Sequence, residues 1–354
     1  PCGSGKKYKR CCLASGQYEH DSAPASGPDN QQQIRLAKTA LDLGDMPRAQ
    51  RALEPLLARS RPPVEALVLA SSVAMRDKDY PLACRHMSEA ARLSPRDPNI
   101  LYNLGTALSI NGRKIEALDA FRRALKINPD MRIVYPNLGH TLRDLGRSTE
   151  AIESYREVFA LPGVDTATMS QILLSMHLFS QADHQQLFDM HRQLAALISR
   201  ENPLFEQRRT EVAGGDKLRI GYLSPRFSRE IVGFFFKPLF DHHDRDRFEI
   251  YLYNVTPRTD ELTRYFEERA DGWVEVGQMS DRQVCQRIVD DEIDILVDLA
   301  GHAPENRIGI MARKPAPIQV SMLDYFDTTG LDSMDFYVTD RFSTPEDSQQ
   351  RFSE

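Results

Sequence analysis

Small and apolar residues in the N-terminal part of the chain recur every 34 positions. Shifting the sequence by 34 lays Leu104-Gly105 on Leu138-Gly139, Gly112 on Gly146, Ala117 on Ala151 and Phe121 on Tyr155. One period earlier, Ala83, Met87, Ala90 and Pro95 fall under Ala117, Phe121, Ala124 and Pro129, and Gly44, Ala49 and Leu53 continue the series. Residues 168–200 keep helical apolar spacing until Glu201-Asn202-Pro203 breaks it, and read as helices capping the repeats. From Lys217 the pattern changes to short apolar runs, at 218–223, 248–254, 293–298 and 318–322, with amphipathic stretches between them. That alternation predicts parallel strands joined by crossover helices. A doubly wound sheet places its ligand at the carboxyl ends of its strands, which singles out the loops at 224–232, 255–260, 301–307 and 323–330.

The 34-residue period resembles the tetratricopeptide repeat, a pair of antiparallel helices that buries its apolar face only by stacking on its neighbours. Four repeats are expected, near 29–62, 63–96, 97–130 and 131–164. Their apolar positions are scaffold. Binding in the concave groove would fall to inner polar residues, of which Asn103 and Asn137 recur just before each Leu-Gly. Such an asparagine can hold the backbone of a bound peptide or satisfy a contact between repeats, and the sequence leaves both open.

With 354 residues, 41% hydrophobic and 27% charged, the chain can build two or three ordinary globular domains. A net charge of −6 argues against general nucleic-acid binding, although Lys6, Lys7, Lys9 and Arg10 make one end locally basic. Cys84 and Cys285 lie far apart within helix-like patterns and read as buried thiols in a reducing compartment. No stretch approaches the length that crosses a bilayer, the longest candidate being VGFFFKPLF, and no signal peptide precedes the first cysteine motif. A cytoplasmic protein with no membrane partner is expected.

The opening stretch PCGSGKKYKRCC offers two chemistries. A phosphate loop is rejected, because Gly3-Ser4-Gly5-Lys6-Lys7 has the wrong spacing and Tyr8 stands where the hydroxyl residue belongs. Cys2, Cys11 and Cys12 instead supply three of the four ligands of a structural zinc site. The stretch resembles the SEC-C motif of the preprotein-translocase ATPase, whose pattern implies a further cysteine just before Pro1, so the start is read as not native. Three unligated thiols on a basic tail are the alternative. Residues 13–33, rich in Ser, Ala, Gly, Pro and Gln, read as a flexible linker.

Motifs after Lys217 carry a second resemblance. LRIGYLSPRFS, FEIYLYN, DLAGH (298–302) and RKPAPIQV (313–320) resemble the first catalytic half of the glycosyltransferase family that contains the nucleocytoplasmic O-GlcNAc transferase and the plant SPINDLY-type O-fucosyltransferases. Members couple tetratricopeptide repeats to a two-domain GT-B unit, and the likeness covers about residue 33 to the end. The resemblance implies an α-solenoid at 34–164, a helical linker at 165–216 and, at 217–354, the Rossmann-like half of the catalytic unit that precedes the nucleotide-binding half. That second half is expected beyond Glu354. The implied activity is transfer of a sugar from a donor such as UDP-GlcNAc to Ser or Thr of a polypeptide held in the solenoid groove, with no catalytic metal.

Two loops depart from the family pattern. Bacterial members read D-F-x-x-H after the first strand, where this chain has Arg226-Phe227-Ser228-Arg229-Glu230. The family loop L-G-Y-P-G-T-[ST]-G, which lies against the donor sugar, appears as Leu323-Asp324-Tyr325-Phe326-Asp327-Thr328-Thr329-Gly330. Glu230, Asp324 and Asp327 are candidate general bases if burial raises their pKa, or else solvated loop acids. A charge at Asp324 or Asp327 must be offset by protonation or by a cation, expected from the second half. His302 is a catalytic candidate, or a loop hydrogen-bonder. Tyr325, Thr328, Thr329 and Gly330 complete the candidate donor and acceptor loop. A peptide-binding adaptor with a decayed transferase domain is the competing reading.

Overall fold

The computed structural model describes residues 28–160, 164–179, 183–212, 217–341, 344 and 352–354. Cys2, Cys11, Cys12 and most of the linker lie outside them. The chain divides into two units, one running to Thr168 and the other Met169–Glu354.

In the first unit α1 (Pro28–Leu43) pairs with α2 (Met46–Leu57), α3 (Val64–Arg76) with α4 (Tyr80–Leu93), α5 (Pro98–Ile110) with α6 (Lys114–Ile127) and α7 (Val134–Asp144) with α8 (Ser148–Ala160). Each pair packs on the next. Residues 28–33, read as linker, are helical: Pro28 opens α1 and Asp29 lies in its first turn, both favourable at a helix N-terminus. Close helix contact explains why glycine and an aromatic ring recur together. A Cβ on Gly105 would stand 2.6 Å from Phe121 Cε1, and one on Gly139 2.4 Å from Tyr155 Cε1. The turn inside each pair needs a left-handed residue, and φ is +78° at Gly44, +81° at Gly112 and +71° at Gly146. Lys78 fills the same position at φ 62°, a conformation unfavourable for a residue with a Cβ.

The second unit holds α10 (His184–Glu201), preceded by α9 (Thr166–Met176), and then an alternating strand and helix chain. Its elements are β1 (Leu218–Ser224), α11 (Ile231–Asp241), β2 (Phe248–Asn254), α12 (Glu261–Glu267), β3 (Gly272–Glu275), α13 (Asp281–Asp290), β4 (Ile295–Asp298), α14 (Ile308–Arg313), β5 (Ile318–Met322) and β6 (Phe336–Val338). The strands form one parallel sheet in the order β3-β2-β1-β4-β5-β6. Residues 168–200, expected to cap the repeats, group almost wholly with this unit, where α10 packs on α14. The expected strands are present. The edge strands β3 and β6 were not foreseen, because GWVE and FYV are too short to show an alternating pattern.

Phe227, Phe236, Phe240 and Phe266 form an aromatic core against β1 and β2, with Ile220, Tyr222, Ile250 and Leu252 from the strands. Register aligns the carboxyl ends: Ser224 pairs with Asn254, and Leu223 and Ser321 both pair with Asp298. The chain winds outward from β1 to β3 and then restarts on the other side at β4, so the order reverses between β1 and β4. A crevice opens there in doubly wound sheets. Cys84 and Cys285 are buried free thiols, and burial pushes Cys285 up to about 12, which keeps it protonated and inert. Among the described residues no helix is long and apolar enough to cross a membrane.

Candidate active site

Charged residues from four loops interlock at the carboxyl edge of the sheet. Arg226, after β1, places Nη1 2.5 Å from Asp324 Oδ2 and Nε 3.5 Å from Glu230 Oε2, and its Nη2 donates to the Pro304 carbonyl at 3.1 Å. Glu230 also pairs with Arg258 from the loop after β2, and Arg258 Nη2 lies 3.5 Å from Glu305 Oε2 after β4. The sequence Asp324, Arg226, Glu230, Arg258, Glu305 thus alternates in sign along the carboxyl edge of the sheet. Leu323 begins the last loop at φ 84°, a strained turn for a branched residue, and it immediately precedes Asp324. Burial raises the Asp324 pKa despite the pull of Arg226.

The cation that offsets Asp324 therefore comes from this unit. Arg226 stands where the family pattern has aspartate, and Asp324 where it has glycine, so the two departures meet as one ion pair. Glu230 is half-exposed, with one carboxylate oxygen facing each of two guanidiniums. Ser228, between them in sequence, is buried, and its hydroxyl has no hydrogen-bond partner among the described residues.

Behind this edge lies a buried cluster of histidines. His302 Nε2 is 2.9 Å from the Thr329 carbonyl, which can only accept, so Nε2 carries the proton and Nδ1 accepts from Ser170 Oγ at 3.0 Å. Burial holds its pKa down to about 4. His191 Nδ1 donates to the Leu187 carbonyl at 2.7 Å, leaving Nε2 to accept from Tyr325 Oη at 2.7 Å. His177 Nε2 lies 3.3 Å from Tyr325 Oη and 3.3 Å from Asp327 Oδ2. Tyr325 is thus held inside the unit, and both nitrogens of His302 are engaged.

Thr328 and Thr329 are fully buried and turn their donors onto one carboxylate. Thr329 N and Thr328 Oγ1 each lie 2.7 Å from an oxygen of Glu354, and Thr329 Oγ1 lies 2.5 Å from one. The Gly330 amide donates to Thr328 Oγ1 at 3.0 Å, which fixes the same loop. Asp298, at the end of β4, accepts from Ala300 N at 3.1 Å and Gly301 N at 2.7 Å, and burial pushes its pKa up to about 7. Sequence reasoning used Asp298 only as part of a motif. Its signal was available: an acid ending an apolar strand and followed by Leu-Ala-Gly is positioned to cap a tight turn.

In the repeat unit, Asn137 donates to Tyr102 Oη at 2.9 Å, the contact between repeats that was one of its two readings. Asn103 is partly buried.

Residues 180–354 match the family model Glycosyl transferase family 41. The sheet unit belongs to glycosyltransferase family 41. Tetratricopeptide models match residues 34–98, 98–131 and 134–162, and the SEC-C model matches 1–14. The chain is 30% identical over 183 residues to the probable UDP-N-acetylglucosamine--peptide N-acetylglucosaminyltransferase SPINDLY of Arabidopsis thaliana, covering 51% of this chain and 20% of that one. It is 32% identical over 148 residues to the UDP-N-acetylglucosamine--peptide N-acetylglucosaminyltransferase of Caenorhabditis elegans, covering 41% and 13%. A solved O-GlcNAc transferase mutant of Thermobaculum terrenum superposes with a TM-score of 0.60 at 29% identity, over 82% of this chain and 56% of that one. The chain therefore spans about a fifth of the length of the first curated relatives it matches.

Proposed function

We propose that this chain is the N-terminal portion of a protein O-glycosyltransferase, moving a sugar from UDP-GlcNAc or a similar nucleotide donor to Ser or Thr of a polypeptide that the repeats recruit. The family 41 match over the sheet unit carries this reading. Within the unit, the crevice between β1 and β4 is edged by the loops on which the family resemblance rests. Its part is to position the reacting groups: the Arg226–Asp324 pair fixes two loops, and the Thr328 and Thr329 hydroxyls, bonded to Glu354, hold the loop after β5 in shape. Glu230, tied to two arginines, fits loop fixation better than proton transfer, and His302 fits support of the Thr329 backbone.

Three of the charged replacements that suggested a decayed enzyme, Arg226, Glu230 and Asp324, pair with one another, which weakens the main ground for the adaptor reading. Structural zinc at Cys2, Cys11 and Cys12, a bacterial origin and a cytoplasmic location complete the proposal. Calorimetric titration of the full-length protein with UDP-GlcNAc and other nucleotide sugars tests it. Saturable binding of one donor is expected, and absence of binding across the set would return the adaptor reading.

A further inference from the structure

His177, His191 and Asp327 each bring one ligand atom to within 4.8 Å of the others. Two neighbouring spacings already suit a tetrahedral ion. His177 Nε2 is 3.3 Å from both Asp327 Oδ2 and Tyr325 Oη, and ligands about 2.0–2.1 Å from zinc stand roughly 3.3–3.4 Å apart. We propose that His177 Nε2, His191 Nε2 and Asp327 Oδ2 bind one divalent transition-metal ion of the zinc type, with Tyr325 Oη as the fourth donor. Nothing in the sugar-transfer reading requires this site.

The surrounding bonds orient the donors as a metal site needs. Imidazole ligands commonly donate their second N–H to a carbonyl, which fixes the ring and aims the other lone pair at the ion. His191 does this: Nδ1 faces the Leu187 carbonyl at 2.7 Å and Nε2 points into the cluster. Asp327 is steadied in the same way, because the Thr328 amide donates to its Oδ1 at 2.7 Å while Oδ2 faces His177. Phe326 packs edge-on to His177 with ring centroids 4.9 Å apart and shields that side. Access is from Asp327, whose side chain is 19% exposed against 8% for His177. Entry of an ion must widen the 2.7 Å contact between His191 Nε2 and Tyr325 Oη, a movement of roughly 0.6 Å toward the tetrahedral spacing.

The ligands are far apart in sequence. His177 follows α9, His191 lies on α10 and Asp327 sits in the loop after β5, so a bound ion would cross-link that loop to both helical segments. Imidazole and carboxylate donors in tetrahedral array select zinc or cobalt over calcium or magnesium.

The test uses the full chain with Cys2, Cys11 and Cys12 changed to serine, which removes the other expected zinc site. Cobalt(II) titration should give one equivalent bound, with the visible bands of a tetrahedral nitrogen and oxygen site and no thiolate charge-transfer band, and zinc should displace it. Asp327→Asn and His177→Gln should each weaken binding by about tenfold or more. Zinc should raise the melting temperature of the serine protein and shift the two variants distinctly less at the same zinc concentration. If the serine protein binds no cobalt and shows no zinc-dependent melting shift, the cluster is a hydrogen-bond chain and the proposal fails. Cobalt binding of equal strength in both variants overturns it as well.

Discussion

Arg226 and Asp324 show how two departures from a pattern can be one feature. Both side chains are mostly buried, at 15% and 22% exposure, so removing either leaves a poorly solvated charge beside the other loop. Arg226→Met and Asp324→Asn should each cost on the order of 1–3 kcal/mol, and the double variant should cost less than their sum. Urea unfolding of the four proteins measures this, and a coupling energy of zero would show that the pair is incidental. Sequence alone could not find the pair, because its members are far apart in the chain and meet only through β1–β4–β5 adjacency. What was legible was that each residue was unusual where it stood.

At the scale of elements, the repeats were legible because their physics is local and periodic. Gly139 on α7 and Tyr155 on α8 fit because one lacks the Cβ that the other's ring would strike. Gly139→Ala should destabilise the chain by about 1–3 kcal/mol through overpacking, despite alanine's better helix propensity. Adding Tyr155→Leu should recover part of that loss, and strictly additive effects in thermal unfolding would argue against the packing. Four strands were equally legible as apolar runs. The edge strands were not, since β6 has only three residues, two of them exposed, and its pairing with β5 is set by the sheet rather than by its own pattern. The histidine cluster was hidden for a related reason: His177 and His191 lie in segments whose spacing signals only helix.

Across the whole molecule, buried titratable groups tie stability to pH. His140 in the repeat unit bonds Tyr155 Oη at 2.7 Å, and burial, helped by Arg143 and Lys114 and opposed by Asp144, lowers its pKa from 6.5 to about 4. The unfolded chain therefore takes up a proton near pH 6.5 that the folded chain refuses until about pH 4. Its contribution is full above pH 6.5 and is lost as pH falls through that window, on the order of 3 kcal/mol. Asp298 acts in the opposite sense: burial raises its pKa from 3.8 to about 7, so its contribution is full below about pH 3.8 and is lost as pH rises from there to about 7. Comparing His140→Gln, which keeps an acceptor for Tyr155, with the parent at pH 7 and pH 5 isolates the first effect. The variant should lose less stability on acidification, and an identical loss would place the proton elsewhere.

Sugar transfer by a protein that holds both this sheet unit and these repeats remains the central claim, and intact-mass and fragment mass spectrometry of acceptor polypeptides tests it most directly. The full-length protein should be incubated with UDP-GlcNAc and a panel of other nucleotide sugars. The expected result is a single sugar mass added to Ser or Thr, dependent on one donor and weakened by Arg226→Met. Donor binding without sugar on any serine or threonine, across the whole panel, would contradict it.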